Sequence, residues 1–323
     1  MIGILCNAKR ERFYSKRLHT LLKPLAKGRK ISVMVFSLSN VNIEERSVQG
    51  TLVTGERVRP ASTFLPSLIF NFAVQRRRVN IKKMRSLMEI ADIKIVNGVN
   101  HYNQWSIMEI LSSSKKTKRY VLPYMNYSKE DICFDFTKVG NFIVKPEKRV
   151  NLNRIIYGRQ SDFGFDLYGG YGSKRCYRLD VQSVIHPAMR GKRWLLLKTP
   201  GLATYRNRLL IIRANLIKKH DGEWDVISKT IVPRYEGVYA KLGKKIEKSA
   251  LNIINCINAF IPDLGVAFVD FVLDRYGTPY FLNFGGWDGK LLTKKHKRNV
   301  RISVCKNILE YAEKLSVEEP GVQ

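Results

Sequence analysis

Apolar residues along this chain fall into two patterns, short continuous runs and longer stretches with a helical repeat. MIGILC at the start, ISVMVFSL (31–38), LPSLIFNFA (65–73) and IKIVNGV (93–99) are continuous, as in strands buried on both faces. SVQGTLV and ERVRP, separated by Thr54-Gly55, read as a hairpin. Residues 80–92 place Ile81, Met84, Leu87, Met88 and Ala91 three and four apart, which predicts an amphipathic helix. A second helix is expected at Gln104–Ser113. Strands alternating with helices over residues 1–100 predict a mainly parallel sheet.

The middle of the chain is strand-rich. NFIVKPEK (141–148) and RIIYGRQ (154–160) read as two strands of a hairpin joined by a loop near Val150 to Asn153, and YRLDVQSVI (177–185) as a further strand of that sheet. The glycine- and aromatic-rich DFGFDLYGGYGSKR between them reads as a turn or loop. Further on, strands at 208–217 and 223–231 turn at His220-Asp221-Gly222. A helix then carries Ile246, Ala250, Ile253, Ile254 and Ile257 on one stripe, and GVAFVDFVLD and TPYFLNF follow as strands around Arg275-Tyr276-Gly277. A last helix begins near Asn299.

Composition narrows the partners. The chain has 323 residues, enough for more than one core, and 57 Lys and Arg against 27 Asp and Glu leave a formal charge of +30. Such a field attracts phosphates, nucleic acid, anionic lipid or an acidic polymer. The runs QRRR (75–78) and TKKHKR (293–298) concentrate it, with no zinc-finger or RNA-binding signature beside them, so sequence-specific nucleic-acid recognition is not expected. The five cysteines lack metal spacing, which argues for reduced thiols and against a zinc site. The N-terminus reverses the order of a signal peptide, and no apolar run reaches the roughly 18 residues of a membrane span. A soluble, cytoplasmic protein is the expectation. The histidines have no catalytic or metal companions and read as surface or capping residues.

Candidate chemistry concentrates in FVDFVLDRYGTPYFLNFGGWDGK. On antiparallel strands Asp270 and Asn283 would stand opposite each other, with their oxygens on one face. Such a pair suits either a hard cation such as Mg²⁺ or two satisfied polar residues at a sheet margin. Asp288, before a glycine, would serve as a further ligand or a turn cap, and Asp274 reads as a solvated turn acid.

This hairpin resembles the metal-binding hairpin of ATP-grasp enzymes, an Asp followed about thirteen residues on by Glu-x-Asn, with Asp270 in the first place, Asn283 where Glu is usual and Gly285 where Asn is usual. FIVKP resembles the strand carrying the phosphate-binding lysine, Lys145. QSVI (182–185) resembles the strand near the adenine, which would involve Gln182. FSLSNVNIEERSVQGTL, LPSLIFNFA and NQWSIMEIL resemble the spore-coat-associated YheC/YheD-like branch. The resemblance implies an α/β (α+β) protein with an N-terminal pre-grasp domain at 1–105 and grasp subdomains at 106–190 and 191–323, built on antiparallel sheets. It implies ATP and Mg²⁺ as cofactors, a nucleotide and a carboxylate as ligands, and ligation to an amine or thiol through an acyl phosphate. Lys145 would hold phosphates, Arg208 the transferred or acyl phosphate, and Asp270 with Asn283 the metal. The family's glycine-rich loop is replaced by EKRVNLNR, whose Lys148, Arg149 and Arg154 would meet phosphate as charges. Asn283 brings no charge to a metal, so the implied function is ATP-dependent carboxylate–amine or –thiol ligation or a weakened descendant of it. The alternative is a non-catalytic basic protein of the spore coat or envelope that binds polyanions.

Overall fold

The computed structural model describes residues 1–25, 31–128, 130, 134–148, 152–169, 172–177, 180–189, 193–206, 208–232 and 239–317. The first unit comprises β1 (Ile2–Cys6), α1 (Glu11–Leu22), β2 (Ser32–Ser37), β3 (Val41–Asn42), β4 (Ser47–Thr54), β5 (Val58–Phe64), β6 (Leu68–Asn71), α2 (Arg78–Met88) and β7 (Lys94–Val96). Strand β1 lies between β2 and β6, and these pairs and β6–β7 are parallel. The sheet is parallel only at its centre. The β4–β5 hairpin joins the β2 edge antiparallel, because a tight turn can connect only antiparallel neighbours. Helix α1 lacks the clean pattern of α2. Its apolar face of Tyr14, Leu18, Leu21 and Leu22 is interleaved with Arg12, Lys16, Arg17 and His19, yet it is buried.

Helix α3 (Gln104–Ser113) leads to a sheet made from β8 (Tyr124–Tyr127), β9 (Phe142–Pro146), β10 (Ile156–Ser161), β11 (Gly164–Gly169) and β12 (Gly172–Tyr177), then the short α4 (Val181–Ile185) and β13 (Trp194–Lys198). The order is β12-β11-β10-β9-β13-β8, antiparallel throughout. Two expectations change here. The glycine-rich stretch is not a loop, since β11 and β12 form a hairpin that buries Phe165 and Leu167 with the rest of that core. QSVI is not a strand. Val181 and Ile185, four apart, are buried together on one helical face. The partner of the lysine strand on that side is β13, so the middle sheet draws a strand from beyond residue 190. The loop expected near 150–153 lies partly outside the described residues.

The short pair β14 (Thr204–Tyr205) and β15 (Arg208–Leu209) precedes a four-stranded antiparallel sheet. That sheet comprises β16 (Ile211–Lys218), β17 (Trp224–Val232), β18 (Val266–Leu273) and β19 (Pro279–Gly285), in the order β17-β16-β18-β19. Helix α5 (Tyr239–Asn258) lies between β17 and β18 in sequence, and α6 (Arg298–Val317) closes the chain. One continuous apolar cluster joins Ile143 and Leu195 of the middle sheet to Val269 and Phe281 of the last sheet and Ile253 of α5. The two sheets therefore share a core, and the lysine strand faces the β18–β19 hairpin across it.

Candidate functional site

Strand register places Arg213, Asp270 and Asn283 in one row. Asp270 is the Cα partner of Arg213 on β16 and of Asn283 on β19, so all three project from the same face of the sheet. All three are withdrawn from water, with Asp270 at 0% exposure. The Arg213 Nε donates to Asp270 Oδ1 at 2.7 Å and Nη2 to Oδ2 at 3.0 Å, a two-point pair. Its Nη1 donates to Asp288 Oδ2 at 3.2 Å. The guanidinium lies over the Phe268 ring, 3.9 Å from its centroid. Burial opposes the Arg213 charge, but the two carboxylates override it and hold the group above its ordinary pKa.

Lys145 arrives from the other sheet. Its Nζ donates to the Leu282 carbonyl and, at 3.0 Å, to Asn283 Oδ1, while Asn283 Nδ2 donates to Asp270 Oδ2 at 3.2 Å. A register shift after Asp270 leaves Leu282 as an extra residue in β19, and the carbonyl released there meets the lysine. Complete burial pushes the Lys145 ammonium down to about 7, with Asp270 opposing. Gln104 at the start of α3 clamps the same strand, donating to the Phe284 carbonyl and accepting from the Phe284 amide.

Three of the sequence-derived site residues thus meet: Lys145, Asp270 and Asn283. The others do not join them. Arg208 is exposed on β15, Lys148 is exposed beyond β9, and Gln182 sits on α4 with its amide directed to the Phe134 carbonyl. Arg149 lies outside the described residues, and Arg154 packs over the Trp194 ring. Asp288 acts both as a partner of Arg213 and as a cap accepting from Lys290 N. Asp274 is not solvated. It is buried and accepts from the amides of Tyr276 and Thr278, fixing the hairpin turn. His296, expected at the surface, is buried beside Asp288, and burial holds its imidazole below the usual value. Sequence reasoning missed Arg213, Phe268 and Gln104. An arginine inside LLIIRANLI was the available signal, since a charge in an apolar strand requires a buried counter-charge.

No protein-family model and no curated protein matches this sequence. Solved structures resemble it over nearly their whole lengths. A D-alanine–D-alanine ligase from Aeromonas hydrophila is 13% identical, with a TM-score of 0.55 over 98% of this chain and 99% of that one. The D-alanine–D-alanine ligase from Coxiella burnetii is 11% identical, with a TM-score of 0.53 over 98% and 96%. A RimK domain ATP-grasp protein from Sphaerobacter thermophilus is 10% identical, with a TM-score of 0.54 over 95% and 99%. At such identities the likeness concerns the backbone, and the class it defines is clear: this chain has the ATP-grasp fold.

That fold implies ATP and Mg²⁺, and the residues present can be tested against the metal. Mg²⁺ takes six oxygen ligands and needs anionic ones to offset its dehydration. Both Asp270 oxygens are already engaged by Arg213, and the Asn283 oxygen is held by Lys145. The two carboxylates, Asp270 and Asp288, are both paired with the Arg213 guanidinium. A Cβ on Gly285 would lie 2.4 Å from the Phe268 ring, so this ring fills the space a side chain there would need. No cluster of three acidic, histidine or cysteine ligands exists among the described residues. The set does not fit Mg²⁺.

Proposed function

We propose that this chain is a degenerate ATP-grasp protein, ligase-like in fold, that does not carry out metal-dependent acyl-phosphate chemistry. It works instead as a non-catalytic basic binding protein for an acidic polymer, of the spore-coat or envelope kind implied by its resemblance to the YheC/YheD-like branch. The neighbours named as D-alanine–D-alanine ligases indicate the ancestral chemistry, ATP-dependent carboxylate–amine ligation. The observation that carries the reading is the buried two-point Arg213–Asp270 pair beneath Phe268, which puts a protein cation where the metal would bind. The binding role rests on two exposed basic runs, Arg76, Arg77 and Arg78, and Lys294, Lys295, Lys297 and Arg298. None of these seven forms an ion pair among the described residues. No helix of the described chain is long and apolar enough to cross a membrane. The proposed location is cytoplasmic, moving to the spore coat.

Thermal melting with ATP, with Mg²⁺ and with both tests this reading. A ligand at a hundred times its Kd adds about 2.7 kcal/mol to native stability, which a melting shift registers readily. The expected result is that Mg²⁺ adds nothing to the effect of ATP and that no ADP forms. A shift that needs both together, or release of ADP in the presence of a carboxylate and an amine, would restore the active-ligase reading and reject this one.

A further inference from the structure

The outer arm of the middle sheet carries a second charged surface. Strand β12 is outermost, paired with β11 alone among the described residues, and lies three strand spacings, roughly 14 Å, from the lysine strand β9. Register sets its side chains in rows with those of β10 and β11. Arg159, Asp166 and Arg175 are Cα partners in one row, and Ser161, Gly164 and Tyr177 form the row nearer the β10–β11 turn. Opposed residues on antiparallel strands share a face, as do residues two apart on one strand, so both rows look out from the same side of the arm.

The first row is built around one carboxylate. Arg175 Nε donates to Asp166 Oδ1 at 2.8 Å, and Arg159 Nη2 donates to Oδ2 at 3.0 Å. The Arg159 guanidinium also lies 5.4 Å from the Tyr168 ring centroid. The Asp166 side chain is 13% exposed, whereas those of Arg159 and Arg175 are 48% and 74% exposed. Ion pairs so open to water add little stability, and their effect here is to orient the two guanidiniums. Each has used one nitrogen, and neither makes a further hydrogen bond among the described residues. Two cations on one anion leave the row net positive, with N–H groups free for phosphate oxygens.

The second row adds an aromatic surface. Tyr177 is 72% exposed, and Phe163, in the turn just before Gly164, is 76% exposed. Gly164 puts no side chain between Ser161 and Tyr177. Along β12, Tyr177 follows Arg175 by two residues, a step of roughly 6.6 Å. A flat π surface one such step from a pair of guanidiniums matches a chain whose every unit carries a phosphate and a planar base. In a duplex those bases are already stacked on one another, so the surface suits a single strand.

We infer that the arm β10–β12 binds single-stranded nucleic acid, its phosphates against Arg159 and Arg175 and a base stacked on Tyr177 or Phe163. Stacking accepts any base, in keeping with a sequence that carries no base-reading motif. The surface is distinct from the two basic runs, whose attraction for a polyanion needs no base.

Fluorescence anisotropy on the full chain tests it, with a short oligothymidylate and an abasic strand of the same length as probes. The two carry equal phosphate charge and differ only in their bases. Oligothymidylate is expected to bind at least about tenfold more tightly, a ratio equal to roughly 1.4 kcal/mol. Phe163→Ala together with Tyr177→Ala should bring that ratio close to one and leave the abasic affinity unchanged, while Tyr177→Phe should keep the ratio. Arg159→Gln together with Arg175→Gln should weaken both probes. All four side chains are exposed, so these variants should melt like the wild type. Alanine at Arg76, Arg77 and Arg78 should lower both affinities alike and leave the ratio, so failure of the polyanion reading and failure of this one show separately. Equal or absent binding of the two probes, a ratio that survives loss of both rings, binding unchanged by loss of Arg159 and Arg175, or a ratio abolished by the change at Arg76, Arg77 and Arg78 would overturn the proposal.

Discussion

Arg213 is the residue on which the cluster turns. Replacing it by methionine leaves Asp270 at zero exposure without a counter-charge, and such a break costs about 3–5 kcal/mol, measured by urea unfolding. The double variant Arg213→Met with Asp270→Asn is expected to recover most of that loss, because removing both members of a buried pair spares the stranded charge. Equal losses in the single and double variants would mean the two are not coupled. Lys145 predicts a pH dependence. Its ammonium sits near 7 in the folded chain and at the ordinary lysine value of 10.5 when unfolded, so between those limits the unfolded chain binds the extra proton. Stability should therefore rise with pH in this window, by on the order of 2 kcal/mol from about pH 7 to 9, and the burial penalty is full only below it. Lys145→Met should flatten the rise relative to the wild type. Asp270, Asn283 and Lys145 were legible in the sequence. Arg213 was not, because its role depends on strand register that brings residues 57 positions apart side by side.

At the scale of the element, the β18–β19 hairpin was the most legible piece, with its turn, its two strands and the opposition of Asp270 to Asn283 all written in local spacing. What spacing did not carry was the register shift that presents the Leu282 carbonyl to Lys145. Nor did it carry the filling of the space above Gly285 by Phe268. That contact predicts a packing conflict. Gly285→Ala should destabilise by about 1–3 kcal/mol through overpacking, and Phe268→Leu in the same chain should relieve it, both read from urea midpoints. An alanine that costs nothing in either background would mean the ring moves freely. The misread elements share one cause. Residues 164–169 and 172–177 have the glycines of a loop but hold strand geometry through the β10–β11 and β11–β12 pairs, and 181–185 have the β-branched residues of a strand but bury a helical face. Local preference yields to tertiary packing in both.

For the whole molecule, the dominant quantity is the charge of +30. Binding to a short random-sequence duplex, used as a polyanion probe in fluorescence anisotropy, should weaken steeply with salt as counterions are released. Changing Arg76, Arg77 and Arg78 to alanine should reduce the log–log salt slope by up to roughly 0.9 per phosphate contact removed. Affinity that stays constant from low to high salt would exclude the polyanion role. The same charge has no bearing on the interior, where Arg213 is paired with the carboxylates of Asp270 and Asp288.

The sequence by itself determined the order of most strands and helices, the basic exterior and the hairpin with Asn in place of Glu, because each follows from local periodicity, composition or spacing. Only the tertiary structure decided how that hairpin is used. Bringing β9, β16, β18 and β19 around one shared core put Lys145 and Arg213 onto the oxygens of Asn283 and Asp270, and a carboxylate whose charge is already matched by a guanidinium has little left to offset the dehydration of a metal. Such relations are distances between strands remote in sequence, which no one-dimensional pattern contains.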